Sequence, residues 1–163
     1  MAREAQAIRL WRRLGGSGFG RWLFTRIVCA KAPYFASISP LITRLEPGVC
    51  EAHLRQRRRV QNHIGTVHAI ALCNLAELCA GLMTDVSIPG DMRWIPKDMT
   101  VRYLAKAKGR ISASARPATE LRSAAEPYAA TIAVTLDDDA GNTVASAEIR
   151  MWLSPRPQPA AQD

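Results

Sequence analysis

Residues 62–83 read Asn-His-Ile-Gly-Thr-Val-His-Ala-Ile-Ala-Leu-Cys-Asn-Leu-Ala-Glu-Leu-Cys-Ala-Gly-Leu-Met, and this stretch decides the fold. From Val67 onward the apolar residues fall on every face of a helix, the pattern of a helix enclosed by protein rather than laid on a surface. At about 1.5 Å per residue, Val67 to Met83 spans roughly 25 Å, the depth of a small domain. Glu77 carries the sole formal charge between Val67 and Thr84. A buried carboxylate without a partner is costly, so Glu77 is expected to be hydrogen-bonded or turned toward a ligand cleft. It is the leading candidate for chemistry.

The start of the same helix supplies the second clue. Gly65 permits a tight turn and Thr66 is a suitable N-cap. The unpaired N–H groups near Val67 to Ile70 then form a partly positive terminus that suits a carbonyl oxygen or an anion. Asn62 and His68 flank this turn, and Glu77 lies about two and a half turns further in. Polar groups converging on an apolar helix are expected to form a binding cleft.

Working outward, 163 residues make one domain long enough for a substantial core. The apolar run is shorter than a membrane span and is interrupted by Glu77, which argues against a transmembrane segment. Cys29, Cys50, Cys73 and Cys79 form no C-x-x-C pair. Two of them sit within the apolar run, which favours a reducing compartment, the cytoplasm, over a disulfide framework. The net charge of +8 is uneven. Residues 1–31 hold seven Arg and Lys against Glu4, which is +6, leaving +2 for the rest of the chain. No basic face interleaved with aromatics is present, so nucleic acid is not an expected partner.

Residues 1–14 can form a helix with Ile8, Leu10, Trp11 and Leu14 among arginines, and residues 21–32 a second, with a break at Gly15 to Gly20. Such a segment, residues 1–30, could touch a membrane surface or act as a transit peptide. The reading preferred here is a helical extension, residues 1–32, packed on the domain or on a second subunit. Strands are expected at 40–45 and 49–60, then after the helix at 94–106, 110–118, 128–137 and 143–153, by their alternation and turn residues. The Pro-rich residues 154–163 are expected to be disordered. The sum is an α+β domain, residues 33–153. One antiparallel sheet leaves half of an all-apolar helix uncovered, and a second copy of the chain would cover it.

These features resemble the hotdog fold, in which an antiparallel sheet wraps one central helix and two protomers pair. The motif is similar to that of the PaaI-type acyl-CoA thioesterases: Asn, a Gly turn, His-Gly-Gly opening the helix, and an acid nine residues after the His. Here Asn62, Gly65, His68 and Glu77 stand at that spacing. Lys-Ala-Pro-Tyr-Phe from Lys31, Arg-Trp-Ile-Pro-Lys from Arg93 and Val-Arg-Tyr-Leu-Ala-Lys-Ala from Val101 look like an uncharacterised branch of hotdog proteins. The resemblance covers residues 31–153. It implies a homodimer or dimer of dimers, an acyl-CoA thioester as partner, and no cofactor beyond the coenzyme A of the substrate. It also implies Glu77 as general base or nucleophile, Asn62 as the group holding carbonyl or water, and the amides of Ala69 and Ile70 as an oxyanion site. Ala69-Ile70 replaces the family's Gly-Gly, and an isoleucine side chain can obstruct the approach of a thioester.

Each candidate has a plainer reading. Glu77 could pair with a backbone amide or with a neighbouring subunit, and Asn62 could serve only its own turn. His68 is read as structural. Asn74, three residues before Glu77, could orient it or bond across a dimer interface. Arg57, Arg58, Arg59, Lys97 and Lys106 are candidates for coenzyme A phosphates, or are a solvated face. His63 and His68 lack a third ligand, so no metal site is expected. Three functions stay open: thioester hydrolysis, acyl or acyl-CoA binding without catalysis, and a structural role through the basic N-terminal helices.

Overall fold

The computed structural model describes residues 5–157. Two helices lead, α1 (Gln6–Leu14) and α2 (Gly18–Lys31), followed by a 3-10 segment, Pro33–Ile38. The hairpin β1 (Leu41–Glu46) and β2 (Val49–Arg55) precedes the central helix α3 (Ala69–Ser87). The chain then runs through β3 (Met92–Tyr103), β4 (Arg110–Pro117), β5 (Tyr128–Asp137) and β6 (Thr143–Pro155). All six strands pair antiparallel in the order β1-β2-β4-β5-β6-β3. This is a hotdog architecture, one sheet curled around one helix.

The strands alternate as their sequences demand. In β5, Ala130, Ile132, Val134 and Leu136 are buried while Ala129, Ala133 and Thr135 face outward. Their inward side meets Leu72, Leu75, Ala76, Cys79 and Met83 of α3 in a single core. Fully burying one such aliphatic side chain stabilises the fold by about 1.5–3 kcal/mol. α3 is long and apolar enough to cross a bilayer by composition, and here most of it is covered by this sheet.

The two N-terminal helices belong to the same core: Ile8 and Phe24 are buried, and Trp11 meets Phe24 edge-on at 5.0 Å between ring centres. Gly20 permits their close crossing, because a Cβ there would stand 1.9 Å from the Leu14 carbonyl oxygen. The glycine-rich break in the sequence is thus a packing contact as much as a helix stop. Thr25 joins α2 to the sheet, its hydroxyl donating to the Arg21 carbonyl and accepting from the Ile42 N–H at 3.0 Å.

Several element limits differ from expectation. α2 begins at Gly18 because the Ser17 hydroxyl caps it. β2 stops at Arg55, since residues 58–60 turn as a 3-10 segment and the basic run Arg57-Arg58-Arg59 has no inward-facing alternation to hold a strand. Of the expected C-terminal tail, residues 154 and 155 complete β6, and residues 158–163 lie outside the described residues.

Candidate active site

The loop before α3 is built around Asn62. Its Oδ1 accepts from the N–H groups of Ile64 (3.2 Å) and Thr66 (3.0 Å), and its Nδ2 donates to the Thr66 hydroxyl at 2.8 Å. Gly65 turns the chain with φ +74°, a conformation that side chains disfavour. Gln56 secures the loop from below: its Nε2 donates to the Gly65 carbonyl, and its Oε1 accepts from the Gly109 N–H, both at 2.7 Å. Gln56 was not marked by the sequence, because a lone glutamine at a strand end carries no periodic or motif signal.

Thr66 is not the helix cap. It is buried and held by Asn62, and the chain bridges Gln61 to Val67 before the helix opens two residues later. His68 is the N-cap, its Nδ1 accepting from the Ile70 N–H at 3.1 Å. This agrees with a structural His68 and removes one expected donor, because the Ile70 amide is already engaged. Among the described residues the Ala69 N–H meets no acceptor, so it is the amide left to receive a carbonyl oxygen. The Ile70 side chain is 55% exposed beside it, where the thioesterase motif has glycine.

Glu77 is exposed, not buried as its apolar neighbours suggested. The reason lies in α3 itself. Ile70, Cys73, Glu77, Gly81 and Asp85 recur at helical spacing on a stripe that the sheet leaves largely open, with Tyr103 and Trp94 of β3 reaching Cys73 and Gly81. Glu77 lies at one end of a cleft of about 740 Å³ between this stripe, the N-terminal helices and β3. It stands eight residues beyond Ala69, about 12 Å at roughly 1.5 Å per residue. That separation exceeds the span of one thioester group, so Glu77 and the Ala69 amide cannot meet on one thioester within a single chain. Asn74 does not reach Glu77 either: its Nδ2 donates to the Ser37 hydroxyl at 3.2 Å, and its buried Oδ1 has no partner among the described residues.

A second polar pair lies on the same open stripe. The Cys73 sulfur and the Tyr103 hydroxyl are 3.1 Å apart, and Tyr103 is 52% exposed. The hydrogen bond to Cys73, with some burial, holds the Tyr103 hydroxyl up at about 12. The two residues are thirty positions apart, a pairing that only the fold creates.

The basic candidates divide in two. Val60 accepts from the His68 N–H at 2.7 Å and Ala107 from the Val67 N–H at 2.8 Å. These bonds bring the exposed Arg57, Arg58 and Arg59 turn and the exposed Lys106 to the entrance of α3. Lys97 is elsewhere, 5.8 Å from the centre of the Trp152 ring on the outer face of the sheet.

The domain model "Domain of unknown function (DUF4442)" matches residues 20–153. The chain belongs to the DUF4442 family. Its fold is shared with a structural-genomics crystal structure at 43% identity and TM-score 0.78, over 93% of this chain and 97% of that one. A Pseudomonas aeruginosa protein (PA5026) called a "probable thioesterase" is 25% identical, over 80% of this chain and 93% of its own, with TM-score 0.70. The thioesterase HI1161 of Haemophilus influenzae is 13% identical, over 85% and 94%, with TM-score 0.72, a likeness of fold alone. No curated protein matches in sequence. This DUF4442 chain is therefore a hotdog protein of a thioesterase-like family, and of the four motif residues Glu77 is the one that lines the cleft.

One consequence concerns Asn62 itself. Asn62→Ala removes three hydrogen bonds from the loop and leaves the Thr66 N–H without its acceptor, for a loss of about 1–3 kcal/mol. Urea denaturation of the two proteins measures it. An unchanged midpoint would mean that the loop is held without Asn62.

Proposed function

We propose that this protein hydrolyses an acyl-CoA or closely related thioester, with Glu77 as the reacting carboxylate. The observation that carries the reading is the position of Glu77, the one charge along the apolar stretch of α3, at the end of a large cleft. The thioesterase names borne by solved relatives of the same fold support it.

In the hydrolytic step Glu77 takes a proton from water as the water oxygen adds to the thioester carbon. The oxyanion is received by the Ala69 N–H, a preorganised donor at a helix start. Collapse of the intermediate breaks the C–S bond, and the departing thiolate takes the proton back. In the alternative route Glu77 attacks directly and water resolves the anhydride. Asn62, engaged within its loop, supports the helix entrance and so positions Ala69 rather than touching the substrate.

The 12 Å separation, about eight residues of helix rise, requires Glu77 and Ala69 at one reaction centre to come from different protomers. A homodimer through β3 supplies this. That strand is twelve residues long, ends the sheet, and exposes Tyr103 beside the open stripe of α3. The partner would also remove water from Glu77. The arginine turn and Lys106, at the helix entrance, are placed to meet the coenzyme A phosphates, and Lys97 is less suited. A reducing, cytoplasmic setting fits the unpaired cysteines.

A second reading has its own observation. The engaged Ile70 amide and the exposed Ile70 side chain reduce the oxyanion site, which favours acyl-CoA binding without turnover. Free-thiol release from acyl-CoA thioesters of increasing chain length separates the two. Turnover above the buffer rate supports hydrolysis. Its absence across the whole series, from folded protein that still binds acyl-CoA, selects the binding reading.

A further inference from the structure

The cleft beside Glu77 is made largely by the N-terminal helices, which join the core from outside the sheet. One wall is α3, where Glu77, Gly81, Asp85 and Ile88 follow one another at helical spacing. From Glu77 to Ile88 the wall runs eleven residues, about 16 Å of rise at roughly 1.5 Å each. The opposite wall is the N-terminal pair, with Leu10 of α1 and Val28 of α2. Trp94 of β3 closes the floor, its ring 3.1 Å from where a Cβ on Gly81 would stand.

The distribution of polarity is uneven. Leu10, Ile27, Val28, Leu82 and Trp94 are only half-buried, so apolar surface inside the cleft remains uncovered. The cationic residues that line it, Arg9, Lys31 and Arg156, are exposed and stand at its rim. An elongated cleft of about 740 Å³, with Glu77 at one end, Asp85 further along its α3 wall and half-buried aliphatic side chains between its helices, offers a flexible hydrocarbon more contact than a planar ligand. A chain of roughly a dozen carbons covers 16 Å when extended, at about 1.25 Å per carbon from a C–C bond near 1.5 Å.

We propose that this cleft holds the acyl chain of the thioester, with α1 and α2 as its roof, Trp94 over Gly81 as its floor and Ile88 at the end that limits chain length. The proposal rests on the thioester reading for the position of the reactive end at Glu77. It gives the N-terminal helices a role as part of the substrate site rather than as an anchor. The methyl end of the chain points toward Ile88, away from the basic entrance of α3.

Isothermal titration of the full chain with free saturated fatty acids of increasing length tests this without any turnover. Affinity is expected to rise about fourfold per added methylene and to level near a dozen carbons. Ile88→Ala moves the levelling point to longer chains. Val28→Trp, a change in the roof that leaves the sheet alone, moves it to shorter ones. Affinity that does not grow with length, or a levelling point that neither folded variant shifts, overturns the proposal. A changed oligomeric state in Val28→Trp together with an absence of fatty-acid binding does so too, and would assign the cleft to a second copy of the chain. Chain-length-dependent binding without thiol release from any acyl-CoA would sink the hydrolase reading and leave the cleft assignment standing. Thiol release that ignores chain length would do the reverse.

Discussion

Glu77→Gln is expected to lower thiol release from acyl-CoA by about a hundredfold to ten-thousandfold, the range that a positioned acid–base group supplies. Glutamine keeps the size of the side chain and its hydrogen-bonding capacity but cannot hold the proton taken from water, nor form a stable acyl intermediate. The position is exposed on the open stripe of α3, so the substitution should alter stability by no more than about 0.5 kcal/mol. Binding of a non-hydrolysable acyl-CoA should persist, since glutamine keeps the size of the side chain in the cleft wall and the basic entrance is untouched. The measurement is therefore paired, turnover beside binding, with the melting temperature as a check on folding. Turnover retained within a factor of three would exclude Glu77 as the reacting group. Turnover and binding lost together, with an unchanged melting temperature, would make Glu77 a ligand contact instead.

Phe24→Ala is expected to be the most destabilising single change at the N-terminal helices, by about 3–5 kcal/mol. Phe24 is fully buried and packs edge-on against Trp11, so truncation removes the contact that joins α1 to α2 and both to the core. Urea denaturation followed by circular dichroism gives the loss directly. For a chain of this size each kcal/mol is worth about 2–4 °C, so the melting temperature should fall by roughly 6–20 °C in a single transition. A separate early transition that leaves the main one in place would show that α1 and α2 melt as an independent unit. An unchanged melting temperature would mean that the helices add little to the fold.

Much of this arrangement was legible in the residues. The run from Val67 to Met83 announces a core helix by its length and all-round apolarity, and the alternation in 128–137 announces a strand by its period of two. That one sheet would leave a side of the apolar helix uncovered was also legible, and α3 does keep a stripe of exposed and half-buried residues. What escaped was the direction of the uncovered side. Ile70, Cys73, Glu77 and Gly81 look like further core positions until the sheet is seen to curl around the other face. Local competition at the helix start was equally hidden. Thr66 and His68 are both able to cap, and the choice falls to His68 because Asn62 claims Thr66 from four residues away. Asn74 meets Ser37, thirty-seven positions earlier, rather than its neighbour Glu77, a contact that no spacing rule describes. The cleft was invisible for the same reason, because its walls come from α1, α2, α3 and β3, which only folding places together.

The bond from Ile42 to Thr25 has a further consequence for how the protein behaves at high concentration. Any sheet has two borders, and either can recruit a foreign strand. Here the β1 border is six residues long, irregular between Ile42 and Arg44, and shielded by α2. The β3 border is long and uncovered, although Pro96 and the irregularity beside it blunt its first half. With a single border fit for pairing, edge-to-edge growth must stop once two sheets have joined. The same hydroxyl that fastens a helix to a strand thereby occupies an edge N–H of β1 that a foreign strand would otherwise use.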